Sequence, residues 1–176
     1  MESLHLRTTR LEVISATPEM ARAERDDRAR LLRDYHIRLA EPWPPPLNDE
    51  ASLAWTIAVL DANKDQAGWG GWYICLPGRE GDPALAIGGC GFKGLPDAEG
   101  TVEVGYSVLE EYQRRGYASE AIGALIEWAF AQPGVRRVIA ETFPELIGSL
   151  GVLRKLGFKR IEGGSEPGVI RFERLP

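Results

Sequence analysis

The hydrophobic period of the chain changes twice between residues 101 and 143, and this change constrains the fold more than any other feature. Apolar and polar residues alternate in TVEVGYSVL (101–109), which predicts a strand. Apolar residues then recur at helical spacing over 116–131, and VRRVIAETF (135–143) is again strand-like. A strand, a helix and a second strand in this order predict one crossover between parallel strands. The fold must therefore contain a sheet with at least one helix packed on it.

The rest of the chain adds strands and helices around this crossover. Further strands are predicted at 8–15, 69–76, 84–92, 158–161 and 169–175, and helices at 18–40, from Asp49 through Leu60, and at 149–156. Connections that contain Gly and Pro join the middle strands and fit antiparallel hairpins. These elements predict an α+β or mixed α/β fold. A length of 176 residues predicts a single domain over 1–176.

The composition narrows the classes of partner. A net charge of −5 disfavours nucleic acid and acidic membrane surfaces, so we expect neither as a partner. The chain has no signal-like start and no apolar run long enough to span a membrane, and we expect a cytoplasmic protein. Cys75 and Cys90 stand apart, with no partner at metal or redox spacing. We therefore expect buried, reduced thiols and no metal site.

The strand-to-helix joint YQRRGYASE (112–120) has the residues of an anion site. The first amide N–H groups of a helix lack intrahelical acceptors, and the helix dipole makes this end partly positive. Gly116 permits close approach of the backbone, and the small Ala118 keeps the space in front of these amides open. The neighbouring side-chain donors are Gln113, Arg114 and Arg115. The spacing is that of neither a Walker nor a Rossmann loop, and from the joint alone a plain turn with solvated arginines stays equally open.

Three segments of the chain resemble the GCN5-related N-acetyltransferase (GNAT) superfamily. VEVGYSVLEEYQRRGYASEAI (102–122) is similar to the motif that binds acetyl-CoA in this family. TFPELIGSLGVLRKLGF (142–158) is similar to the second family motif, and TTRLEV resembles the start of the subgroup that contains the ribosomal-protein alanine N-acetyltransferases. The resemblance implies the GNAT fold, with a central, mostly antiparallel sheet of six to seven strands and helices on both faces. It also implies an enzyme that moves an acetyl group from acetyl-CoA to a primary amine.

The resemblance assigns the contacts to acetyl-CoA. In the family, the strand before the joint diverges from its parallel neighbour, and the pantetheine arm of the coenzyme lies in the gap. The residues implied to face this arm are Tyr106, Ser107 and Val108. The residues implied to hold the pyrophosphate, mainly through backbone amides, are Gln113, Arg114, Arg115, Gly116, Tyr117, Ala118 and Ser119. Ser149 of the second motif is implied to lie near the coenzyme A sulfur.

The resemblance also implies two catalytic residues. Glu103 matches an acidic residue that is proposed to draw a proton from the acceptor amine, usually through water, and it would then contact the acceptor. The alternatives for Glu103 are an exposed strand position or an ion pair with a basic neighbour. Ser149 would donate a proton to the leaving thiolate, or alternatively cap the short helix. Leu153 stands where many relatives have a tyrosine acid, which excludes that acid here.

Two positions depart from the second motif. Leu146 stands in place of an asparagine that bonds the pantetheine arm or nearby backbone, and Gly151 stands in place of a frequent arginine. Loss of one such hydrogen bond costs about 0.5–1.5 kcal/mol. We therefore expect weaker, but not abolished, coenzyme binding.

The acceptor stays open at the level of sequence. Trp43 in the loop EPWPPPLNDE (41–50) is either a substrate contact, as the position of this loop in the family implies, or part of a polyproline-type linker. The negative net charge mildly favours cationic acceptors. An acyl-CoA-binding sensor or assembly module with little catalysis is the alternative function, whereas a phosphate-binding regulator would not explain LGVLRKLGF. The subgroup also implies a possible homodimer.

Overall fold

The computed structural model describes residues 2–63 and 66–176. Within these residues the chain forms nine strands, five helices and one 3₁₀ turn at Glu110–Tyr112. The strands are β1 (His5–Arg7), β2 (Glu12–Ser15), β3 (Ile37–Leu39), β4 (Gly71–Leu76), β5 (Ala84–Phe92), β6 (Thr101–Val108), β7 (Arg137–Thr142), β8 (Lys159–Ile161) and β9 (Ile170–Arg174). The helices are α1 (Pro18–Asp26), α2 (Arg28–Tyr35), α3 (Glu50–Ala62), α4 (Tyr117–Phe130) and α5 (Ile147–Lys155).

The strands form a mixed sheet in the order β1-β2-β4-β5-β6-β7-β9-β8, and β3 pairs with one end of β5. Neighbours are antiparallel except for two parallel pairs, β6–β7 and β3–β5. Helix α4 connects the parallel strands β6 and β7, as the change in hydrophobic period predicts. The sheet therefore confirms the predicted mixed α/β fold class.

Helices cover both faces of the sheet, and each face has its own core. Helix α4 packs its apolar stripe on one face, because the 3.6-residue period brings its apolar side chains to one side. The α4 residues in this first core are Ala121, Ile122, Leu125, Ile126 and Ala129. The opposite face is covered by α1, α2 and α3. Their residues in the second core include Met20, Leu31 and Ile57.

The N-terminal part of the chain differs from the sequence prediction in two places. The predicted strand 8–15 begins with a turn, which separates β1 from β2. The predicted helix 18–40 is interrupted at Asp27 (φ −154°) and ends at His36 (φ 57°), after which β3 joins β5. The two added strands have three residues each, too few to show a period. They make the sheet wider than the expected six to seven strands.

Cys75 and Cys90 are both buried and free, as expected. Burial raises the pKa of each thiol above its ordinary value, so neither is a nucleophile at neutral pH. Across residues 2–63 and 66–176, no helix combines the length and the apolar character that crossing a membrane requires. The same residues contain no group of three His, Cys, Asp or Glu side chains arranged to hold a metal ion.

Candidate active site

The parallel strands β6 and β7 separate part-way along their length. Their pairing runs from Thr101 to Glu103 of β6 and ends there in the part of the chain that the structure describes. From Val104 to Val108, β6 pairs with β5 alone, while β7 continues beside β9. A strand edge without a neighbouring strand leaves backbone N–H and C=O groups that need other partners. This edge, which includes Tyr106 and Ser107, therefore offers backbone hydrogen bonds to an extended ligand.

The gap leads directly to the joint before α4. Gly116 is the N-cap of α4 and has φ +82°, a left-handed conformation that glycine adopts without strain. Gly116 has no side chain to accept from the first amides of α4, whereas Thr17 accepts from Met20 N in α1. The first N–H groups of α4, at Tyr117, Ala118 and Ser119, thus need an external acceptor. An anion satisfies them and also meets the positive end of the helix dipole.

The side chains around the joint are less available to bind an anion than the sequence suggests. Gln113 donates from Nε2 to the carbonyl oxygen of Val108 at 2.8 Å, so its amide braces the loop. The guanidinium carbon of Arg115 lies 5.8 Å from the ring centroid of Tyr112. Arg114 is exposed, with φ 57°. Backbone amides, rather than these side chains, are therefore the best placed donors.

Arg10 and Lys155 lie at the joint and were not expected there. A Cβ atom on Gly116 would lie 3.2 Å from Arg10 Nη2 and 3.9 Å from Lys155 Nζ. Arg10 Nη1 also donates to the carbonyl oxygen of Arg115 at 2.9 Å, and its guanidinium carbon lies 4.7 Å from the ring centroid of Tyr117. Arg10 comes from the β1–β2 turn, more than one hundred residues before the joint. Only tertiary packing could reveal it.

Ser149 and Tyr106 lie together beside the gap. Helix α5 begins at Ile147, two residues earlier than predicted, so Ser149 is not the N-cap of this helix. The Tyr106 hydroxyl lies 3.2 Å from Ser149 Oγ and 3.3 Å from the Ser149 carbonyl oxygen. Burial raises the pKa of Tyr106, and the bond to Ser149 offsets this only in part. The pair therefore keeps two neutral hydroxyl groups next to the open edge of β6.

Glu103 forms an ion pair with Lys93, which was one of the alternatives for this residue. The Glu103 side chain is 19% exposed and the Lys93 side chain 50% exposed. Successive strand residues point to opposite faces, so Glu103 shares a face with Ser107, while Tyr106 points to the face that carries α4 and α5. Glu103 and the Ser149–Tyr106 pair thus approach β6 from opposite faces.

A cavity of about 720 Å³ lies on the Glu103 face, between the sheet, α1, α3 and the loop 41–49, and we call it the sheet cavity. Its floor contains Gly89, Gly91 and Gly105. A Cβ atom on Gly105 would meet no atom within 4 Å, so the missing side chain there leaves space above the sheet. Ser107 Oγ donates to the carbonyl oxygen of Pro46, which fastens the covering loop to β6. The cavity therefore reaches the segment of β6 that borders the gap.

Trp43 lines the sheet cavity and is half-buried, and its contact with a substrate stays a prediction. Its Nε1 donates to Glu24 Oε1 at 2.8 Å. Glu24 and Lys93 had no sequence signal, because Glu24 stands in a charged helical stretch and Lys93 in a hairpin connection. Both are singled out only by their neighbours in space. The departures at Leu146 and Gly151 lie at the start of α5 and within it, and Leu153 is fully buried.

The site lies within a region that matches a known family. Residues 15–159 match the profile of the acetyltransferase (GNAT) domain. The chain belongs to this family. The matched region includes the joint and all of the second motif, and it confirms the predicted enzyme class, an N-acetyltransferase.

Individual relatives agree with this assignment. The chain is 30% identical over 158 residues to YjdG of Bacillus subtilis, an uncharacterized N-acetyltransferase, which covers 90% of each chain. The ribosomal-protein-S5-alanine acetyltransferase of Vibrio fischeri superposes with a TM-score of 0.66 at 19% identity, covering 98% of this chain and 96% of that one. RimJ of Mycobacterium smegmatis, solved with CoA-disulfide, superposes with a TM-score of 0.65 at 19% identity, covering 99% and 90%.

The solved relatives confirm the predicted fold and its likeness to the ribosomal-protein acetyltransferases. The CoA in the mycobacterial structure agrees with acetyl-CoA as the predicted cosubstrate. At these identities the superpositions carry the fold alone, so the roles of individual residues rest on the geometry above.

Proposed function

We propose that the chain transfers an acetyl group from acetyl-CoA to a primary amine. One observation carries the proposal: the unpaired edge of β6 leads to the open N-terminus of α4, and the sheet cavity reaches the same strand from the opposite face. Two substrates could therefore meet at Gly105–Ser107. Residues 1–176 are proposed to act as one domain, because one sheet runs through the described chain.

The hydrogen-bonding groups and cations of the site suit acetyl-CoA. An extended amide-containing arm suits the edge of β6 at Tyr106, Ser107 and Val108, which pairs with β5 on one side and has no described partner strand on the other. Gln113 already occupies the carbonyl oxygen of Val108. A pyrophosphate suits the first amides of α4, with Arg10 and Lys155 as additional cations. Leu146 has no polar side-chain atom and cannot make the hydrogen bond of the motif's asparagine. We therefore keep the expectation of weaker binding than the motif would give.

Each half of the site has a chemical role in the proposal. Acetyl-CoA supplies the acetyl thioester, whose carbon–sulfur bond breaks as the amine nitrogen forms the amide bond. Glu103 accepts the proton that the amine releases, directly or through water, and the ion pair with Lys93 holds this carboxylate in place. Ser149 Oγ donates a proton to the departing thiolate and regains one from solvent, into which Glu103 releases the amine proton, and Tyr106 orients this hydroxyl. Acid and base thus act from opposite faces of β6.

An acyl-CoA-binding module with little catalysis is the second candidate. The ion pair with Lys93 favours it, because Lys93 occupies a carboxylate that would otherwise be free to contact the acceptor amine. The absence of the motif's asparagine at Leu146 points the same way.

Transfer to an amine panel separates the two functions. Release of the CoA thiol would be followed with wild type, Glu103→Gln and, as a control, Glu127→Gln on the exposed side of α4. Loss of a general base lowers kcat by about 10²–10⁴-fold, so Glu103→Gln should be slow and the control normal. If wild type and both variants are equally inert while acetyl-CoA still raises the melting temperature, the module is correct.

Ser149→Ala and Tyr106→Phe test the acid side in the same assay. Both should lower kcat and leave the Kd of acetyl-CoA nearly unchanged. The double variant should lose no more than Ser149→Ala alone, because Tyr106 acts through Ser149. Additive losses would assign Tyr106 an independent role.

A reducing cytoplasm is proposed as the compartment, supported by the free and buried Cys75 and Cys90. Homodimerisation stays a prediction.

A further inference from the structure

Glu24 of α1 places a carboxylate in the wall of the sheet cavity. Both of its oxygens accept hydrogen bonds from aromatic side chains. Trp43 Nε1 donates to Oε1 at 2.8 Å, and the Tyr73 hydroxyl donates to Oε2 at 2.7 Å. Helix α1, the covering loop and strand β4 thus hold this carboxylate from three sides, which fixes its position before any ligand arrives.

The negative charge of Glu24 is not neutralised within residues 2–63 and 66–176. None of the ion pairs between these residues includes it. Its two hydrogen-bond donors are neutral, and the residue is half-buried. A charge that is partly removed from water is stabilised when an opposite charge is brought to it. The wall therefore favours a cationic group on the ligand.

The other charges around the sheet cavity are engaged or exposed. They belong to Arg25, Arg28, Asp49, Glu50 and Lys93. Arg25 is paired with Asp26, and Lys93 with Glu103. The remaining three are exposed, so solvent screens their fields. Glu24 is thus the half-buried charge of this wall that is free to act on a ligand.

The surroundings of Glu24 also suit a cation. The rings of Trp43 and Tyr73 border the same wall, with centroids 6.5 Å apart. Aromatic faces attract ammonium and guanidinium groups. A cavity of about 720 Å³ holds a ligand much larger than the reacting amine alone. One ligand can therefore reach from Glu24 to Gly105–Ser107 of β6.

We propose that the acceptor carries a second, non-reacting cationic group, and that Glu24 binds this group while the reacting amine lies at β6. The proposal rests on the proposed acetyl transfer and names the class of acceptor, a diamine or a peptide with a basic side chain. Glu24 binds and orients the acceptor and takes no part in proton transfer.

Amines that differ only at the far end test this class. Butylamine, putrescine and γ-aminobutyrate end in a methyl, an ammonium and a carboxylate group, and hexylamine, hexamethylenediamine and ε-aminocaproate repeat the set at greater reach. Binding would be measured by calorimetric titration in the presence of CoA, and kcat/KM by release of the CoA thiol. A hydrogen-bonded charge pair predicts that at least one diamine binds about 10- to 100-fold more tightly than its neutral counterpart, with the carboxylate last.

Glu24→Gln removes the charge and keeps the wall. The glutamine oxygen can accept from Trp43, and its amide nitrogen can donate to the Tyr73 hydroxyl. The variant should bring the diamine to the level of the neutral amine in both measurements. Glu127→Gln, which makes the same change on the exposed side of α4, should keep the full preference.

The outcomes are distinct. Equal binding of diamine and neutral amine by wild type, or a preference that survives in Glu24→Gln, overturns the inference. Tightest binding of the amine that ends in a carboxylate also overturns the inference. This result would indicate that Arg28, rather than Glu24, binds the far end of the acceptor. Failure of the proposed function would be seen in the activity assay, in which no amine would release the CoA thiol. In that case, a preference for the diamine in the titration that depends on Glu24 would still support this cation site.

Discussion

Gly116 has a conformation that no other residue adopts as easily at this place. Its φ of +82° turns the backbone so that the first amides of α4 face the gap. A side chain here would carry the strain of the left-handed region, roughly 1–2 kcal/mol for an L-residue. It would also meet Arg10 Nη2 at 3.2 Å from its Cβ. We therefore expect the backbone of this one residue to affect anion binding at the joint more than the neighbouring guanidinium groups do.

Gly116→Val should weaken acetyl-CoA binding by about tenfold or more, since both the strain and the contact with Arg10 act on the binding loop. Arg115→Ala should change the Kd only slightly, because its backbone carbonyl, which accepts from Arg10, is retained. Calorimetric titration of acetyl-CoA into each variant measures both effects. The opposite order would show that the Arg115 side chain, and not the backbone, holds the pyrophosphate.

At the scale of elements, the β1–β2 turn is fastened to the first turn of α4. Glu120 accepts hydrogen bonds from Thr8 Oγ1 at 2.6 Å, from Arg10 N at 2.8 Å and from Arg10 Nε at 2.7 Å. Burial on its own would raise the pKa of Glu120, but these hydrogen bonds and the charge of Arg10 together lower it. The same Arg10 bonds the carbonyl of Arg115, so this contact also positions the joint.

Glu120→Gln should lower the free energy of unfolding at neutral pH by about 1–2 kcal/mol, because hydrogen bonds to a charged group are lost. The exposed Arg10, at 45%, keeps the loss toward the lower value through solvent screening. A carboxyl whose pKa is lowered by folding stabilises the protein above its ordinary pKa and loses this effect as the pH falls through the lowered value.

Urea denaturation across the pH range measures this dependence. The difference between wild type and Glu120→Gln should be full at neutral pH and shrink as the pH falls below 4.5, the ordinary pKa of the group. Glu127→Gln on the same helix serves as the control and should track wild type at every pH. A difference that is independent of pH would mean that packing, rather than charge, links these elements.

At the scale of the whole molecule, an aromatic cluster joins α4 to the sheet. The ring centroid of Trp128 lies 4.9 Å from that of Trp69, 5.5 Å from that of Trp72 and 5.9 Å from that of Phe92. The Trp128 ring occupies the space where a Cβ on Gly68 would lie. The cluster therefore couples the helix that begins at the anion site to the strands that form the floor of the sheet cavity.

Trp128→Ala should lower the free energy of unfolding by about 3 kcal/mol or more, since a large void replaces a ring with three aromatic neighbours. Trp55→Ala makes the same change on α3 at a side chain that is 47% exposed, and should cost about 0.5 kcal/mol. Urea denaturation of both variants at neutral pH gives the comparison. Equal losses would mean that the cluster around Trp128 repacks without a void.

The parts of the fold with long periodic segments could be predicted from the sequence. Strand β6, helix α4 and strand β7 each have enough residues to show their period, and their order required the parallel crossover. The strands β1 and β3 were missed because three residues show no period, and the break at Asp27 was missed because the segment around it favours helix throughout. Prediction from the local sequence pattern was thus wrong where an element forms only through pairing or packing with residues distant in the chain.

The candidate site, like the fold, has some features that the sequence predicts and others that only the structure reveals. The joint with Gly116 and the position of Ser149 follow from contiguous motifs. The sequence by itself therefore determined the family and the enzyme class, and it predicts where along the chain the coenzyme phosphates bind. Only the tertiary structure decided that Lys93 pairs with Glu103, that Tyr106 meets Ser149 and that Glu24 faces the sheet cavity. These contacts join residues far apart in the chain, and their existence depends on strand register and packing, which no local pattern records.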